Sequence, residues 1–427
     1  MFNKIRSWWQ NINENYKRII LSVLFGITVI ILAYGIYYVF FRAQFPSATR
    51  EPIERQPTGT LPPTTDIREI LRERGIQVGE EKPTLPISGE VTLPDIIAEG
   101  GKTLAVPAIY SGADSVTLDP EGNIAYYSES EGKFYTIDSS GRIIEKSSAV
   151  FKNVSDVSWS PNGDGAILEF PDGTNFFYDF ARERAFTLPK EAQDFSFSKT
   201  GDAIAYEFIT ENPDNNWLVV SAPTGEAPRA VEHIGESNTD DIVVEWSPDD
   251  TKVAFFRSST GLTSDEVLLI GKNQENFSSL KVSGQGFDGL WSEDGEFILY
   301  NIYNPETGYR PELWITRGSD DDLGVGNKSL GLRTWVDKCA FSNSEIAYCA
   351  VPLYLEEGSG IYKDLAQTVP DTIYKINLQN GFKEEIAIPT NSLGVSLYTA
   401  KKLMLSPDLS ILYLTDANGG VYEIRLK

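Results

Sequence analysis

A short pattern recurs seven times in the C-terminal three quarters of the chain, and this repetition limits the fold more than any other feature. Each copy has an apolar strand that ends in a large residue, then Ser or Asp, a turn and a second apolar strand. The residue that follows the first strand serves as a marker, and the markers are Asp119, Ser160, Ser198, Ser247, Ser292, Ser342 and Ser406. Repeats of roughly 40–50 residues built from short strands are typical of β-propellers.

The strands that follow each turn complete the pattern. A third strand follows the hairpin in every copy and a weaker fourth follows in several, as at residues 185–188. The repeat therefore predicts an all-β, seven-bladed β-propeller over residues 101–427. In the last copy the third strand, residues 421–426, reaches the end of the sequence. We expect residues 103–109 to supply the outer strand of that blade and so to close the ring, because Pro107 is tolerated on an outer strand.

Residues 19–41 form an apolar stretch without a charged side chain. A helix of this length crosses a hydrocarbon core of about 30 Å, so a transmembrane helix is predicted. Cations are more frequent before the span than after it: Lys4, Arg6, Lys17 and Arg18 precede it, and Arg42 and Arg50 follow. This bias predicts a cytoplasmic stub, residues 1–18, and a single-pass protein of the cell membrane with its large domain outside the cytoplasm. A cleaved signal peptide is the alternative, but its apolar region is shorter, about 7–15 residues.

Residues 42–100 are rich in proline and have little apolar periodicity. Proline at this density favours an extended, semi-rigid spacer over helix or sheet. A short helix is expected at residues 65–75, where Thr65 can cap the start and Gly75 the end. The prediction is an extracytoplasmic linker that holds the propeller away from the membrane.

Charge and residue usage exclude several kinds of site. The formal net charge of −24 repels nucleic acid, so no nucleic-acid partner is expected. The single histidine, His233, cannot build a multi-histidine metal centre, and the acidic turns lack EF-hand spacing. We therefore predict no metal and no cofactor. Cys339 and Cys349 lie at opposite ends of one predicted hairpin, where they form either a cross-strand disulfide or a pair of buried thiols.

The repeat resembles the WD40-like propeller repeats (PD40) of the TolB family. Trp246-Ser247-Pro248-Asp249 and Trp159-Ser160-Pro161-Asn162-Gly163 carry the likeness best, and Ile204-Ala205-Tyr206 shows the second strand. The resemblance covers residues 103–427 and implies a propeller that contacts proteins at the cell envelope. The membrane anchor and proline-rich linker depart from TolB, so the outer-membrane role of TolB is not implied. Similar repeats occur in prolyl-oligopeptidase-type peptidases, but the Gly-x-Ser-x-Gly elbow and late histidine of their catalytic domain are missing here.

Long loops are the candidate binding sites, because binding usually resides on loops of a rigid scaffold. The longest insertions fall at residues 301–311, 351–371 and 389–401, which a propeller places on one face. The apolar and aromatic residues that they offer to a partner are Tyr303, Tyr309, Tyr354, Leu355, Ile361 and Tyr362. The alternative is that these side chains bury one another within their own loops.

Three functions remain compatible with the sequence. The leading one is a non-catalytic envelope protein that binds or scaffolds another envelope protein. The second is a propeller hydrolase or lyase that acts on envelope carbohydrate or peptide, without an identified catalytic residue. Paired carboxylates and arginines in the central channel would favour that enzyme, and apolar, small residues would argue against it. The third is a structural subunit of an envelope assembly.

Overall fold

The computed structural model describes Leu32 and residues 93–427, apart from 236–240, 260, 262, 276 and 397. The predicted cytoplasmic stub, the short helix and nearly all of the predicted span and linker lie outside the described residues. Within the part described, no helix has the length and apolarity needed to cross a membrane.

The described strands form seven sheets arranged as the blades of a β-propeller, which confirms the fold predicted from the repeat. The strands of blades one to four are β3 (Asp114–Leu118), β4 (Ile124–Ser128), β5 (Lys133–Ile137), β6 (Ile143–Glu145), β7 (Asp156–Trp159), β8 (Gly165–Glu169), β9 (Asn175–Asp179), β10 (Arg184–Leu188), β11 (Ala192–Phe197), β12 (Ile204–Phe208), β13 (Trp217–Ser221), β14 (Arg229–His233), β15 (Ile242–Val244), β16 (Lys252–Ser259), β17 (Asp265–Gly271) and β18 (Leu280–Val282).

Blades five to seven follow the same antiparallel order and also include the first two strands of the described chain. Their strands are β19 (Gln285–Trp291), β20 (Phe297–Tyr303), β21 (Glu312–Arg317), β22 (Lys328–Ser329), β23 (Cys339–Phe341), β24 (Ile346–Pro352), β25 (Asp371–Asn377), β26 (Lys383–Thr390), β27 (Ala400–Leu405), β28 (Ile411–Asp416), β29 (Val421–Arg425), β1 (Lys102–Leu104) and β2 (Val106–Ile109). Short 3-10 helices lie in the connections, at Pro213–Asn215, Pro305–Thr307, Val336–Lys338 and Lys363–Ala366.

The marker serines shape the turn between the first and second strands of a blade. The Ser247 hydroxyl donates to Asp249 (2.5 Å) and accepts from the backbone amide of Lys252 (2.9 Å), which starts the second strand. Ser406 repeats this arrangement with Asp408 and the amide of Ile411. The serine therefore reaches an amide five residues on, farther than the two residues expected for a simple side-chain turn. This bond explains why Ser and Asp recur together in the motif.

The two ends of the described chain meet at blades six and seven. β2 pairs with β29 in antiparallel fashion as the outer strand of the seventh sheet, with Val106 opposite Glu423. The preceding β1 pairs in parallel with β26 and adds a fifth strand to the sixth sheet. One segment, Lys102–Ile109, thus lies along the outer edges of two neighbouring blades, and we call it the latch.

The core consists of apolar layers between neighbouring blades. Between blades one and two, Phe134 is fully buried and packs edge-on against Trp159, with ring centroids 5.3 Å apart. Between blades five and six, Leu299 and Leu313 pack with Cys339 and Cys349 in one cluster. Blades buried on both faces account for the continuously apolar second strands.

Cys339 and Cys349 stand directly opposite each other in the β23–β24 register. Their Cα atoms are 4.1 Å apart, and their sulfurs form a disulfide. The bond joins the innermost strand of blade six to the next strand.

Candidate functional site

Two long loops of blades five and six are joined into one surface. The amide of Gly358 donates to the carbonyl of Gly308 (3.0 Å), and the amide of Gly360 donates to that of Tyr309 (2.7 Å). The Arg310 guanidinium donates to the Leu355 carbonyl at 2.9 Å. We call residues 304–311 and 353–370 together the loop platform. Because backbone groups make most of these bonds, the two loops hold each other in place.

Local sequence fixes the blade-five part of the platform. The Asn304 side chain accepts from the amide of Thr307, and the Thr307 hydroxyl accepts from the amide of Asn304. These two bonds form a capping box around Pro305–Thr307. Gly308 then takes the left-handed conformation, with φ of 65°, that ends this turn. At Gly360 a Cβ atom would lie 2.7 Å from both the Tyr309 carbonyl and the Tyr303 side chain. Only glycine allows the two loops to approach this closely.

The structure divides the predicted loop residues into two groups. Tyr354, Ile361 and Tyr362 point outward, and their exposed fractions are 63%, 48% and 66%. Tyr303 and Leu355 are half-buried, and Tyr309 is 37% exposed and packs on Tyr303 with ring centroids 6.5 Å apart. The inner tyrosines therefore support the platform, while the outer residues form its free face. Two further exposed residues of the same loop, not singled out from the sequence, are Leu353 and Leu365.

The connection from blade six to blade seven joins the platform from the side. The Asp371 amide donates to the Tyr398 carbonyl, and the Thr399 hydroxyl donates to that of Val369, each at 2.9 Å. Leu393 in this connection is exposed. These contacts bring the three predicted insertions to one face of the propeller.

A buried ion pair supports the base of the platform. Lys338 Nζ lies 2.9 and 3.1 Å from the two carboxylate oxygens of Asp371, and both side chains are almost fully buried. Asp371 also accepts from the Ala400 amide (2.6 Å), the first residue of β27. Burial raises the pKa of Asp371, and the charge of Lys338 opposes that rise. The pair ties blade six to blade seven beneath the platform.

The central channel lies among the first strands of the blades and contains two neighbouring chambers. The upper chamber, about 380 Å³, lies on the platform side and is lined by Asp114, Asp156, Asp337 and Lys401, among others. The lower chamber, about 800 Å³, is lined by aromatic, hydroxyl and charged side chains. Its lining comprises Thr117, Val157, Ser158, Trp159, Pro161, Phe195, Ser196, Phe197, Ser198, Lys199, Glu245, Trp246, Pro248, Glu293 and Lys402. Val157, Trp159 and Lys402 line both chambers.

Glu245 and Lys402 are two charged residues of the lower chamber whose pKa values are shifted by their surroundings. Burial raises the pKa of Glu245 to about 7, the Asp288 carboxylate adds to the rise and Lys402 opposes it. Burial lowers the pKa of Lys402, against the opposing effects of Glu245 and Asp156. Both side chains still meet channel water, since Glu245 is partly exposed and Lys402 is exposed. The channel thus surrounds them with protein without sealing them.

The channel combines carboxylates with lysines, so its lining is neither the carboxylate–arginine set expected of an enzyme nor an apolar one. His233 lies on the outer strand β14, where its ring packs on Trp217 with centroids 4.8 Å apart. Among the residues described, no group of three His, Cys, Asp or Glu side chains is arranged to hold a metal ion. The channel presents charged and hydrogen-bonding side chains to its interior.

Comparison with known proteins supports the fold but identifies neither a family nor an activity. No family model matches the chain, and no curated protein matches it. The chain is similar to the β-propeller domain of Cps50 (Swd1) from Myceliophteria thermophila, with 12% identity and a TM-score of 0.51 over 76% of this chain and 100% of that one.

Two enzymes give weaker similarities. The tricorn protease shows 10% identity and a TM-score of 0.48 over 76% of this chain, which matches 34% of the protease chain. An oligogalacturonate lyase in complex with manganese shows 11% identity and a TM-score of 0.47 over 78% of this chain and 99% of the lyase. The fold and its seven sheets define this chain as a seven-bladed β-propeller protein. At these identities the likeness carries no activity across.

Proposed function

We propose that this protein is a membrane-anchored, extracytoplasmic β-propeller of the TolB-like (PD40) type that binds another envelope protein through its loop platform and catalyses no reaction. The observation that carries the proposal is the platform itself. It exposes Leu353, Tyr354, Ile361, Tyr362 and Leu365 from one loop, each more than 40% exposed. Clustered, exposed apolar and aromatic side chains mark protein interaction sites, and tyrosine is frequent among the residues that dominate binding energy.

The hydrogen bonds between the two loops support the same proposal. Ordering a loop on binding costs free energy, about 0.5–1.5 kcal/mol for each immobilised side chain. In the platform the backbone bonds from Gly358 and Gly360 to the blade-five loop are already made in the free protein. A partner therefore meets a preformed surface, and less of its binding energy is spent on ordering.

The proposed location rests on the predicted span at residues 19–41 and on the charge bias around it. The disulfide between Cys339 and Cys349 fits an oxidising compartment outside the cytoplasm. Protease is added to cells of the source organism whose outer cell envelope is permeabilised and whose inner membrane is intact. It should digest the propeller and spare residues 1–18. Protection of the propeller until the inner membrane is lysed would place it in the cytoplasm instead.

The binding proposal is tested with the full-length, tagged chain in native membranes. We compare wild type with Tyr354→Ser/Tyr362→Ser and with Phe382→Ser, a matched control that removes an exposed aromatic from the turn between β25 and β26, on the opposite face. Crosslinking and affinity capture should recover the same partner with wild type and Phe382→Ser. Recovery with the double variant should fall at least about tenfold, because each anchor contributes roughly 1–2 kcal/mol. Equal recovery from all three chains would refute the platform as the binding site.

A hydrolase or lyase acting on envelope carbohydrate or peptide is the second candidate. The observation in its favour is the pair of charged residues, Glu245 and Lys402, at one chamber of the channel. Release of product from polygalacturonate or casein by the purified protein, abolished by Glu245→Gln, would favour this function over binding.

A further inference from the structure

The lower chamber of the channel has the size and lining of a small-molecule site. Its volume of about 800 Å³ lies within the roughly 300–1,000 Å³ of typical ligand pockets. Trp159, Phe197 and Trp246 supply aromatic surface, and Ser158 and Ser196 supply hydroxyl groups. This mixture of apolar faces and a few polar groups is what holds a small ligand in one orientation.

Two of the charged residues that line the chamber, Glu245 and Lys402, are incompletely paired. Lys402 Nζ makes one hydrogen bond, a long one of 3.4 Å to the Val116 carbonyl, although an ammonium group has three donors. Among the described residues, no hydrogen bond or ion pair reaches the Glu245 carboxylate, and its interactions with Lys402 and Asp288 act at a distance. Each group is therefore available to a counter-charge that enters the chamber.

A contact between the turns of two blades lies at one end of the chamber. Lys199, in the turn after β11, donates from Nζ to the carbonyl of Glu293, in the turn after β19, at 2.9 Å. This contact links blades three and five across blade four, on the face opposite the loop platform. Val157, Trp159 and Lys402 line both this chamber and the upper chamber, so the upper chamber lies directly next to it on the platform side.

From these observations we infer that the lower chamber binds a small zwitterion of the amino-acid or dipeptide class. The carboxylate of the ligand pairs with Lys402, its ammonium group pairs with Glu245, and its body packs against Trp159 and Trp246. A simple anion would satisfy Lys402 but would be repelled by Glu245, and a simple cation would do the reverse. A zwitterion supplies both counter-charges and leaves the net charge of the chamber unchanged. The site does not depend on the loop platform.

The test uses isothermal titration calorimetry on the full-length chain in detergent micelles. The probes are the twenty common L-amino acids and glycylglycine, each titrated separately, with propionate and ethylamine as ligands that carry only one of the two charges. At least one zwitterion should bind, and both single-charge probes should bind at least about tenfold more weakly, since each lacks one ion pair. If no zwitterion binds wild type, or if propionate binds equally well, the inference is wrong.

Variants place the bound zwitterion in the chamber. Glu245→Gln and Lys402→Met should each weaken binding at least about tenfold, whereas Lys402→Arg keeps the charge and should retain most of it. Lys281→Met removes an exposed lysine from β18, outside the channel, and is the matched control. Unchanged affinity in Glu245→Gln and Lys402→Met would overturn the assignment. Retained binding by Lys402→Arg separates loss of the ion pair from loss of the fold.

Discussion

Replacing Glu245 with glutamine should stabilise the protein, and the gain should be larger at pH 8 than at pH 5. Burial raises the pKa of this carboxyl from 4.5 to about 7, so the folded protein holds a proton that the unfolded chain has already lost. Between these two values the unfolded state binds fewer protons than the folded state, and stability therefore falls as the pH rises. Glutamine has nearly the same shape but no charge, which removes this dependence.

The size of the effect follows from the pKa shift. A rise from 4.5 to about 7 corresponds to roughly 3 kcal/mol of unfavourable free energy once the group is fully ionised in the folded state. Part of this free-energy penalty is present even at pH 5, because the carboxyl group of the unfolded chain is already mostly ionised at that pH. Glu245 also meets channel water, which reduces the penalty. We expect the free-energy difference between Glu245→Gln and wild type to grow by about 1–2.5 kcal/mol from pH 5 to pH 8.

The measurement is urea unfolding of the compact unit Pro86–Lys427, followed by tryptophan fluorescence at both pH values. Glu226→Gln, which removes an exposed carboxylate at the rim of blade three, is the control and should follow wild type. An offset between Glu245→Gln and wild type that is the same at pH 5 and pH 8 would refute the reasoning. So would a loss of stability at pH 8, which would show that the ionised carboxylate is held by a favourable ion pair.

Three other perturbations test how the blades are held together. Replacing Cys339 and Cys349 with alanine should lower the free energy of unfolding by about 2–3 kcal/mol, as expected for a disulfide between residues ten positions apart in the sequence. Detection of two free thiols in the unreduced wild-type protein would show that the disulfide is absent. Lys338→Met should destabilise by about 3–5 kcal/mol because Asp371 loses its partner. Adding Asp371→Asn, which removes the charge but keeps an oxygen for the Ala400 amide, should restore most of the loss in thermal melts, and no recovery would refute this assignment of the cost. Removing the latch, Lys102–Ile109, should speed hydrogen exchange of the β29 amides, and unchanged exchange would show that blade seven does not depend on it.

The sequence predicts the architecture well because the repeat is encoded locally. The turn at Ser247 needs only Asp249 two residues on and the Lys252 amide five residues on, all within one short segment. Ser292 and Ser406 make the same two bonds in blades five and seven, and the motif recurs once in each blade, so its copies count the blades. The detailed partner of the serine was not predicted, since the amide it contacts belongs to the second strand and is placed only when the hairpin forms.

The loop platform was only partly predictable. Long loops and their aromatic residues are visible in the sequence, but which side chains turn outward depends on contacts between different blades. Gly360 brings its loop against Tyr303 and Tyr309, which makes those tyrosines supports and leaves Tyr362 exposed. Contacts of this kind depend on the distance between neighbouring blades in the ring. A local sequence pattern gives no information about that distance.

The channel residues could have been found from the repeat. Side chains of a strand alternate between two sides, so residues two and four positions before each marker face the same way. Glu245 stands two positions before Ser247, while Asp156 and Lys402 stand four positions before Ser160 and Ser406. Aligning the copies on the marker and selecting charged residues at these positions identifies channel groups that inspection of single motifs misses.

The same alignment shows that the fold does not require a charge where Glu245 stands. The equivalent position, two before the marker, is Leu290 in blade five, Ala340 in blade six and Met404 in blade seven. An apolar side chain is therefore compatible with an inner strand at this depth, and it avoids the cost of burying a carboxyl group. Since the raised pKa of Glu245 makes its charge unfavourable for stability at neutral pH, packing does not explain its presence. The zwitterion that we infer for the lower chamber would explain it, so the calorimetric test and the pH dependence of Glu245→Gln both examine the role of this one carboxyl group.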